Sequence, residues 1–170
     1  MSAPTPIRAV VITLSDSGHA GRRDDESGAV LEGLLNELGA EYVERVLLPD
    51  EQLLLTEKLI HYADRTPANL ILTTGGTGLT SRDVTPEASR AAFDREAPGF
   101  AEAMRAASLA KTPHAMLSRA VSGLRGATLI INLPGSPIAC REQFAVIRDA
   151  LPHALEKLAD AGGDCARPDC

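Results

Sequence analysis

Three glycines in four positions, Gly75, Gly76 and Gly78, follow the apolar run Leu70-Ile71-Leu72. Glycines there leave backbone N–H groups bare at the end of a buried strand, as a phosphate or other anion requires. Arg82 and Asp83 come next, and Thr85-Pro86 opens a helix. The competing interpretation is a turn that only lets strand and helix pack closely. Two familiar phosphate loops are excluded. No G-x-x-x-x-G-K-[ST] occurs, and Gly76-x-Gly78 lacks the third glycine of a dinucleotide fingerprint, since position 81 is Ser. That fingerprint also belongs after a first strand, not a third.

Asp83 has two readings: an Asx turn holding the loop, or a ligand. A carboxylate among phosphate-binding amides repels phosphate unless a cation intervenes. Mg²⁺ resolves the conflict, because it takes one or two carboxylates together with phosphate oxygens. Thr85, ahead of Pro86, suits the helix cap better than Asp83 does. Asp50 divides similarly, between an ordinary N-cap and a second carboxylate for Mg²⁺.

Other chemistry is weaker. Ser108-Leu-Ala-Lys111 matches S-x-x-K, but no S-D-N or K-T-G follows it. Lys111 and Arg119 are either solvated surface cations or positive charge for an anionic ligand. His19, His61, His114 and His153 are dispersed, with no catalytic spacing to Ser or Cys. Cys140 is expected to pack inside a helix. Cys165 and Cys170, with His153, fit no zinc spacing.

Composition narrows the classes. The length, 170 residues with 44% hydrophobic content, suits one domain with a full core, about 7–159, and flexible ends at 1–6 and 160–170. Aromatic content of 3% leaves no stacking platform, and a formal charge of −6 argues against nucleic acid. No stretch approaches the ~20 apolar residues of a membrane span. The first residues carry no signal-peptide pattern, and the odd cysteine count suits reduced thiols, so a cytoplasmic setting is expected.

Strands and helices alternate in the first half. Ile7 to Leu14 is a strand buried on both faces. Val30, Leu31, Leu34, Leu35 and Leu38 mark a helix face that Gly39 ends. Tyr42 to Leu48 is a second strand. Pro49-Asp50 opens a helix with Leu55, Leu59 and Tyr62 on one side. Asn69 to Thr74 is the third strand. Helices near 86–94 and 98–110 follow, with Pro86 and Pro98 at first helical positions. Ala120–Leu124 and Thr128–Asn132 form a hairpin through Arg125-Gly126. Ser136 then caps a helix that starts at Pro137 and runs to about Asp149. A last helix spans Pro152 to Ala159. The expected architecture is a three-layer α/β/α domain, its sheet mostly parallel with a short antiparallel edge. Ligands in such sheets bind beyond the carboxyl ends of strands. Ser15-Asp16, Pro49-Asp50, Gly75 to Asp83 and Pro134-Gly135-Ser136 should therefore converge.

These residues resemble a known family. Leu47 to Glu51 (LLPDE), Thr73 to Ala88 (TTGGTG-x-x-x-RDVTPEA), Ser108 to Arg119 (SLAKTPHAMLSR) and Asn132 to Pro137 (NLPGSP) resemble the molybdopterin adenylyltransferases. That family includes the Mog-type bacterial proteins and the G domain of gephyrin-like proteins. The resemblance runs from about Ile7 to Leu158. It implies the molybdopterin-binding-like fold and a homotrimer. It implies transfer of AMP from Mg-ATP to the terminal phosphate of molybdopterin, with release of pyrophosphate, in molybdenum cofactor biosynthesis. The two key aspartates fall on Asp50 and Asp83. The ligand loop falls on Thr74, Gly75, Gly76, Thr77 and Gly78, with Arg82 beside it. Ser108 lies toward the pterin, and Pro134, Gly135 and Ser136 line the nucleotide end. A molybdenum-inserting enzyme is an implied partner. At Ser15-Asp16-Ser17 the chain departs from the usual S-D-R or S-x-S, which leaves Asp16 open. The alternatives are a non-catalytic pterin-binding scaffold of this fold, a paralogue acting on another pterin or nucleotide, and, on weakest grounds, an NAD-dependent enzyme.

Overall fold

A computed structural model describes residues 5–159. Six strands form one sheet: β1 (Arg8–Leu14), β2 (Tyr42–Leu48), β3 (Leu70–Thr74), β4 (Arg95–Glu96), β5 (Ser122–Arg125) and β6 (Thr128–Leu133). Their spatial order is β2-β1-β3-β6-β5-β4. The first four are mutually parallel, and β5 pairs antiparallel with both β6 and β4. The helices are α1 (Asp16–His19), α2 (Glu26–Glu37), α3 (Gln52–Arg65), α4 (Thr85–Ala92), α5 (Gly99–Leu109), α6 (Pro137–Ile147) and α7 (Leu151–Ala159).

The strands alternate with period two, so their side chains divide between two cores. Ala9, Val11, Leu70, Leu72, Leu129 and Ile131 pack with Leu31 and Leu35 of α2, Phe144 of α6 and Leu155 of α7. Val10, Ile12, Ile71 and Ile130 pack on the other face with Leu55 and Leu59 of α3 and with Ala88 and Ala92 of α4. Helices therefore cover both faces, as unbroken apolar strands demand.

Several local expectations need correction. Pro98 flanks α5 instead of starting it, and α4 stops at Ala92. The hairpin strand runs through Arg125, so its turn is Gly126-Ala127. Helix α6 ends at Ile147 and a 3₁₀ turn follows it. Three short elements had no sequence signal: α1, β4 and a 3₁₀ turn at Pro113–Leu117. Pro6 is held, its carbonyl accepting from Asn69 Nδ2 at 2.8 Å, so the expected loose end does not extend to it. The expectations for residues 1–4 and for the Cys165 and Cys170 tail lie outside the described residues.

Two features hold the site's supports. The register aligns Leu47, Thr13, Thr74 and Leu133 across four adjacent strands, so their four exits leave the sheet at one level. Glu44 on β2 accepts the Tyr62 hydroxyl of α3 at 2.6 Å and the Tyr42 hydroxyl at 2.8 Å. That tie closes the strand and helix flanking Asp50. The Tyr62 and Tyr42 hydroxyls hold the Glu44 carboxyl below its ordinary value, outweighing partial burial. A depressed carboxyl stabilises the fold above its unfolded pKa and loses that contribution as pH falls through the folded one. Tyr62→Phe should therefore lower stability by about 0.5–1.5 kcal/mol near neutrality. The difference from wild type should shrink in acid. Urea midpoints at about pH 7 and about pH 3 check it, and an unchanged difference would refute the linkage.

Candidate active site

The turn after β3 is a strained backbone with its carbonyls tied down. Gly75 has φ +92° and Gly76 φ +64°, conformations that favour glycine. Space forbids side chains as firmly as φ does. A methyl on Gly75 would stand 2.4 Å from the Leu14 carbonyl, and one on Gly76 2.4 Å from Thr85 Oγ1. The Thr85 hydroxyl donates to the Gly75 carbonyl at 2.9 Å, and its amide donates to Gly76 O at 3.0 Å. The Arg119 amide donates to Thr77 O at 2.9 Å and its Nε to Gly78 O at 2.6 Å. All four carbonyls from Gly75 to Gly78 are thus consumed by protein donors. Among the described residues, the amides of Gly76 and Thr77 donate to no protein group. The loop has the polarity of an anion cradle.

Asp50 and Asp83 flank this loop. A methyl on Gly76 would lie 3.3 Å from Asp50 Oδ1, and one on Gly78 3.0 Å from Asp83 Oδ2. Asp83 also performs its Asx-type role, since Oδ2 accepts the Thr80 amide at 2.8 Å and the Thr80 hydroxyl at 2.6 Å. Burial pushes this carboxyl up, but Thr80, the Gly78 amide and the Arg119 charge hold it below the ordinary range. Asp50 shifts the other way. Burial raises it, and the charges of Asp16 and Asp83 add to that against the Asp16 amide and Arg82. Asp50 is not a helix cap: Glu51 flanks α3, with no side-chain capping bond. Thr85 is likewise inside α4, not its cap, because its hydroxyl is committed to Gly75.

Asp16, left open by the sequence, joins two strand ends. Its amide donates to Asp50 Oδ2 at 2.9 Å, and its Oδ1 accepts the Asp50 amide at 3.0 Å. Arg82 grips the same carboxylate through Nε at 3.0 Å and Nη2 at 2.8 Å. That fork, then the Asp50 amide, holds the Asp16 carboxyl below its usual value. Arg82 lies at the loop mouth but is spent on Asp16. Lys111 is paired with Glu142 at 2.9 Å.

The last strand exit closes against the loop. A methyl on Gly135 would stand 3.3 Å from Gly75 Cα. The Thr74 hydroxyl donates to Pro134 O at 2.7 Å, and Cys140 Sγ donates to the same carbonyl at 2.9 Å. Ser136 caps α6 as expected, accepting from the Ala139 amide at 3.4 Å. Ser108 is not brought to the loop. Its hydroxyl accepts from Gln143 Nε2 at 3.1 Å, beside a hollow lined by Lys111, Glu142 and Val146.

A cavity of about 130 Å³ adjoins Gly75 and Gly135, walled by Thr13, Ser15, Arg23, Asp25 and Ser27. The Thr13 hydroxyl is buried there without a partner. Sequence reasoning missed this wall. The only signal was the polar, glycine-bearing stretch from Ser15 to Ser27. It also missed Arg119 as a brace, since an arginine in a polar segment carries no mark of where its fork will land.

Comparison with known proteins agrees with the fold. A probable molybdopterin binding domain matches residues 10–153. The chain is 40% identical over 149 residues to a molybdopterin adenylyltransferase of Haemophilus influenzae, covering 86% of this chain and 76% of that protein. It is 40% identical over 151 residues to the molybdenum cofactor synthesis protein cinnamon of Drosophila melanogaster. That match takes in 88% of this chain and only 25% of the fly protein. The solved structure of the molybdopterin biosynthesis enzyme MoaB from Thermus thermophilus superposes with a TM-score of 0.84 at 47% identity, covering 89% of this chain and 96% of that one.

Gly76→Ala should test the cradle. The methyl meets both an unfavourable φ and the Thr85 hydroxyl that anchors Gly75. The expected loss is about 1–3 kcal/mol by urea unfolding, with weaker binding of inorganic pyrophosphate by titration calorimetry. Wild-type values for both would refute the assignment.

Proposed function

The chain belongs to the molybdopterin-binding domain family, and from that premise we propose that it is a molybdopterin adenylyltransferase, moving AMP from ATP to molybdopterin. The observation carrying this reading is the loop Gly75–Gly78, whose carbonyls are all engaged while two amides stand free between Asp50 and Asp83. The terminal phosphate of molybdopterin is already ionised near neutrality, so the protein needs no strong general base. Its oxygen attacks the α-phosphorus of ATP, and the bond to the departing pyrophosphate breaks. The work left to the chain is alignment of two anions and relief of their repulsion.

The residues divide that work. The Gly76 and Thr77 amides receive phosphate oxygens. Gly135, packed against Gly75, closes the nucleotide end. Arg82 is exposed and paired with the partly exposed Asp16 carboxylate, so exchanging that partner for an incoming phosphate costs little. Asp50 and Asp83 fit the donor set of Mg²⁺, two carboxylates with phosphate oxygens completing the shell. No group of three or more acidic, His or Cys side chains is assembled for a metal among the described residues. Held by Asp50 and Asp83, Mg²⁺ would neutralise phosphate charge.

The homotrimer, a molybdenum-inserting partner and a cytoplasmic setting extend this proposal, and the family resemblance is what supports them. No helix among the described residues is long and apolar enough to cross a membrane.

Incubation with molybdopterin, ATP and Mg²⁺, followed by mass detection of adenylylated pterin, tests the reaction. Pterin binding without Mg-dependent ATP consumption would favour a scaffold instead. Asp83→Asn keeps an oxygen for Thr80 but removes the charge. It should lower turnover roughly 10²–10³-fold while pterin binding survives. A near-normal rate of pyrophosphate release would remove Asp83 from the mechanism.

A further inference from the structure

We infer that Arg119 is a positioning residue for this transfer, acting through the glycine loop and Asp83 and not on the substrates. The inference rests on the adenylyltransferase reading for its kinetic consequence, but its geometry stands alone. Arg119 directs its main-chain amide and all three guanidinium nitrogens at one target region. Its amide takes Thr77 O, Nε takes Gly78 O, Nη2 takes the Asp83 main-chain carbonyl and Nη1 takes Glu87. The first two acceptors belong to the cradle, the third to the residue carrying the second flanking carboxylate, and the last to the first turn of α4. The side chain is about two-thirds buried, with 33% exposed. Each of the three guanidinium nitrogens is engaged with a protein acceptor.

The brace is itself braced. Arg105 of α5 donates to Ser118 O at 3.2 Å and to Ala120 O at 2.7 Å, on either side of Arg119. The chain of contact therefore runs from α5 through residues 118–120 to the loop. Nothing else fixes the Gly78 carbonyl, whereas Gly75 and Gly76 have Thr85. Without the Arg119 side chain the Gly78 and Asp83 carbonyls lose their partner, and the segment from Thr77 to Asp83 keeps the main-chain bond from residue 119 to Thr77 O, the internal Thr80–Asp83 bonds and the exposed Arg82–Asp16 fork. The Gly78 carbonyl is then free to rotate toward the anion site and the Asp83 carboxylate to shift with its main chain. A lysine cannot substitute, because one ammonium does not reach acceptors spread along a planar fork.

The test uses the full chain with Arg119→Ala and Arg119→Lys. Hydrogen exchange should accelerate at the amides of Gly78, Thr80 and Asp83 in Arg119→Ala, while those of β3 stay protected. The kcat of adenylyl transfer should fall about 10²-fold, the loss expected for a small misplacement of reacting groups. The KM for molybdopterin should hold within a few-fold. Arg119→Lys should recover little, whereas free ethylguanidinium added to Arg119→Ala should restore part of kcat and ethylammonium should not. A purely structural role would lower activity only in step with the folded fraction, with no rescue and no exchange change confined to the loop; that pattern overturns the inference. Unaltered exchange at Thr80 and Asp83 overturns it too. A wild-type chain that transfers no AMP refutes the proposed reaction, and the exchange measurement still decides whether Arg119 holds the loop.

Discussion

The site depends on the direction of four peptide groups. A turn placed at the end of a buried strand exposes N–H or C=O to a ligand, but not both along the same edge. Here Thr85 and Arg119 claim the carbonyls of Gly75 to Gly78. What is left facing outward is the positive end of the peptide dipoles. Gly75 and Gly76 are required because the turn presses against Leu14 on one side and Thr85 on the other, leaving no volume for a Cβ. The remaining features of the site are arranged around that fixed polarity.

Around it the charges are balanced locally. The chain as a whole is acidic, with formal charge −6, and long-range attraction for anions is absent. Asp16, Asp50 and Asp83 even concentrate negative charge beside the cradle. One of them is neutralised by Arg82 and another is anchored by Thr80 and the Arg119 field, while Asp50 is left with its carboxyl raised by burial and by its neighbours. The same arrangement explains why two aspartates from different strand exits, beside one loop, shift in opposite directions. Asp83 lies where amides and hydroxyls point at it, and Asp50 is raised first by burial and then by the neighbouring Asp16 and Asp83 carboxylates.

The parallel sheet is what lets residues far apart in the chain share this environment. Register between β2, β1, β3 and β6 sets Leu47, Thr13, Thr74 and Leu133 at one height. Asp50, Asp16, Gly75 and Gly135 leave from that line. The Glu44–Tyr62 bond and the Thr74–Pro134 bond then keep two of those exits from splaying.

Much of this was legible in the residues alone. Period-two apolar strands, the helix face from Val30 to Leu38 and the Gly-rich punctuation determine the elements and their order, because local backbone preference and burial are encoded within a few positions. The glycines at 75, 76 and 78 likewise mark a strand-end turn where backbone amides lie bare, and the motifs at 47–51, 73–88, 108–119 and 132–137 carry the family resemblance. Tertiary structure alone decided which polar side chain serves which partner. Thr85 has the composition of a cap, yet it bonds Gly75; Arg119 has that of a surface cation, yet it closes the loop; Asp16 is tied to Asp50 across 34 positions. Long flexible side chains choose partners by position in space, and that position exists only once the strands have paired.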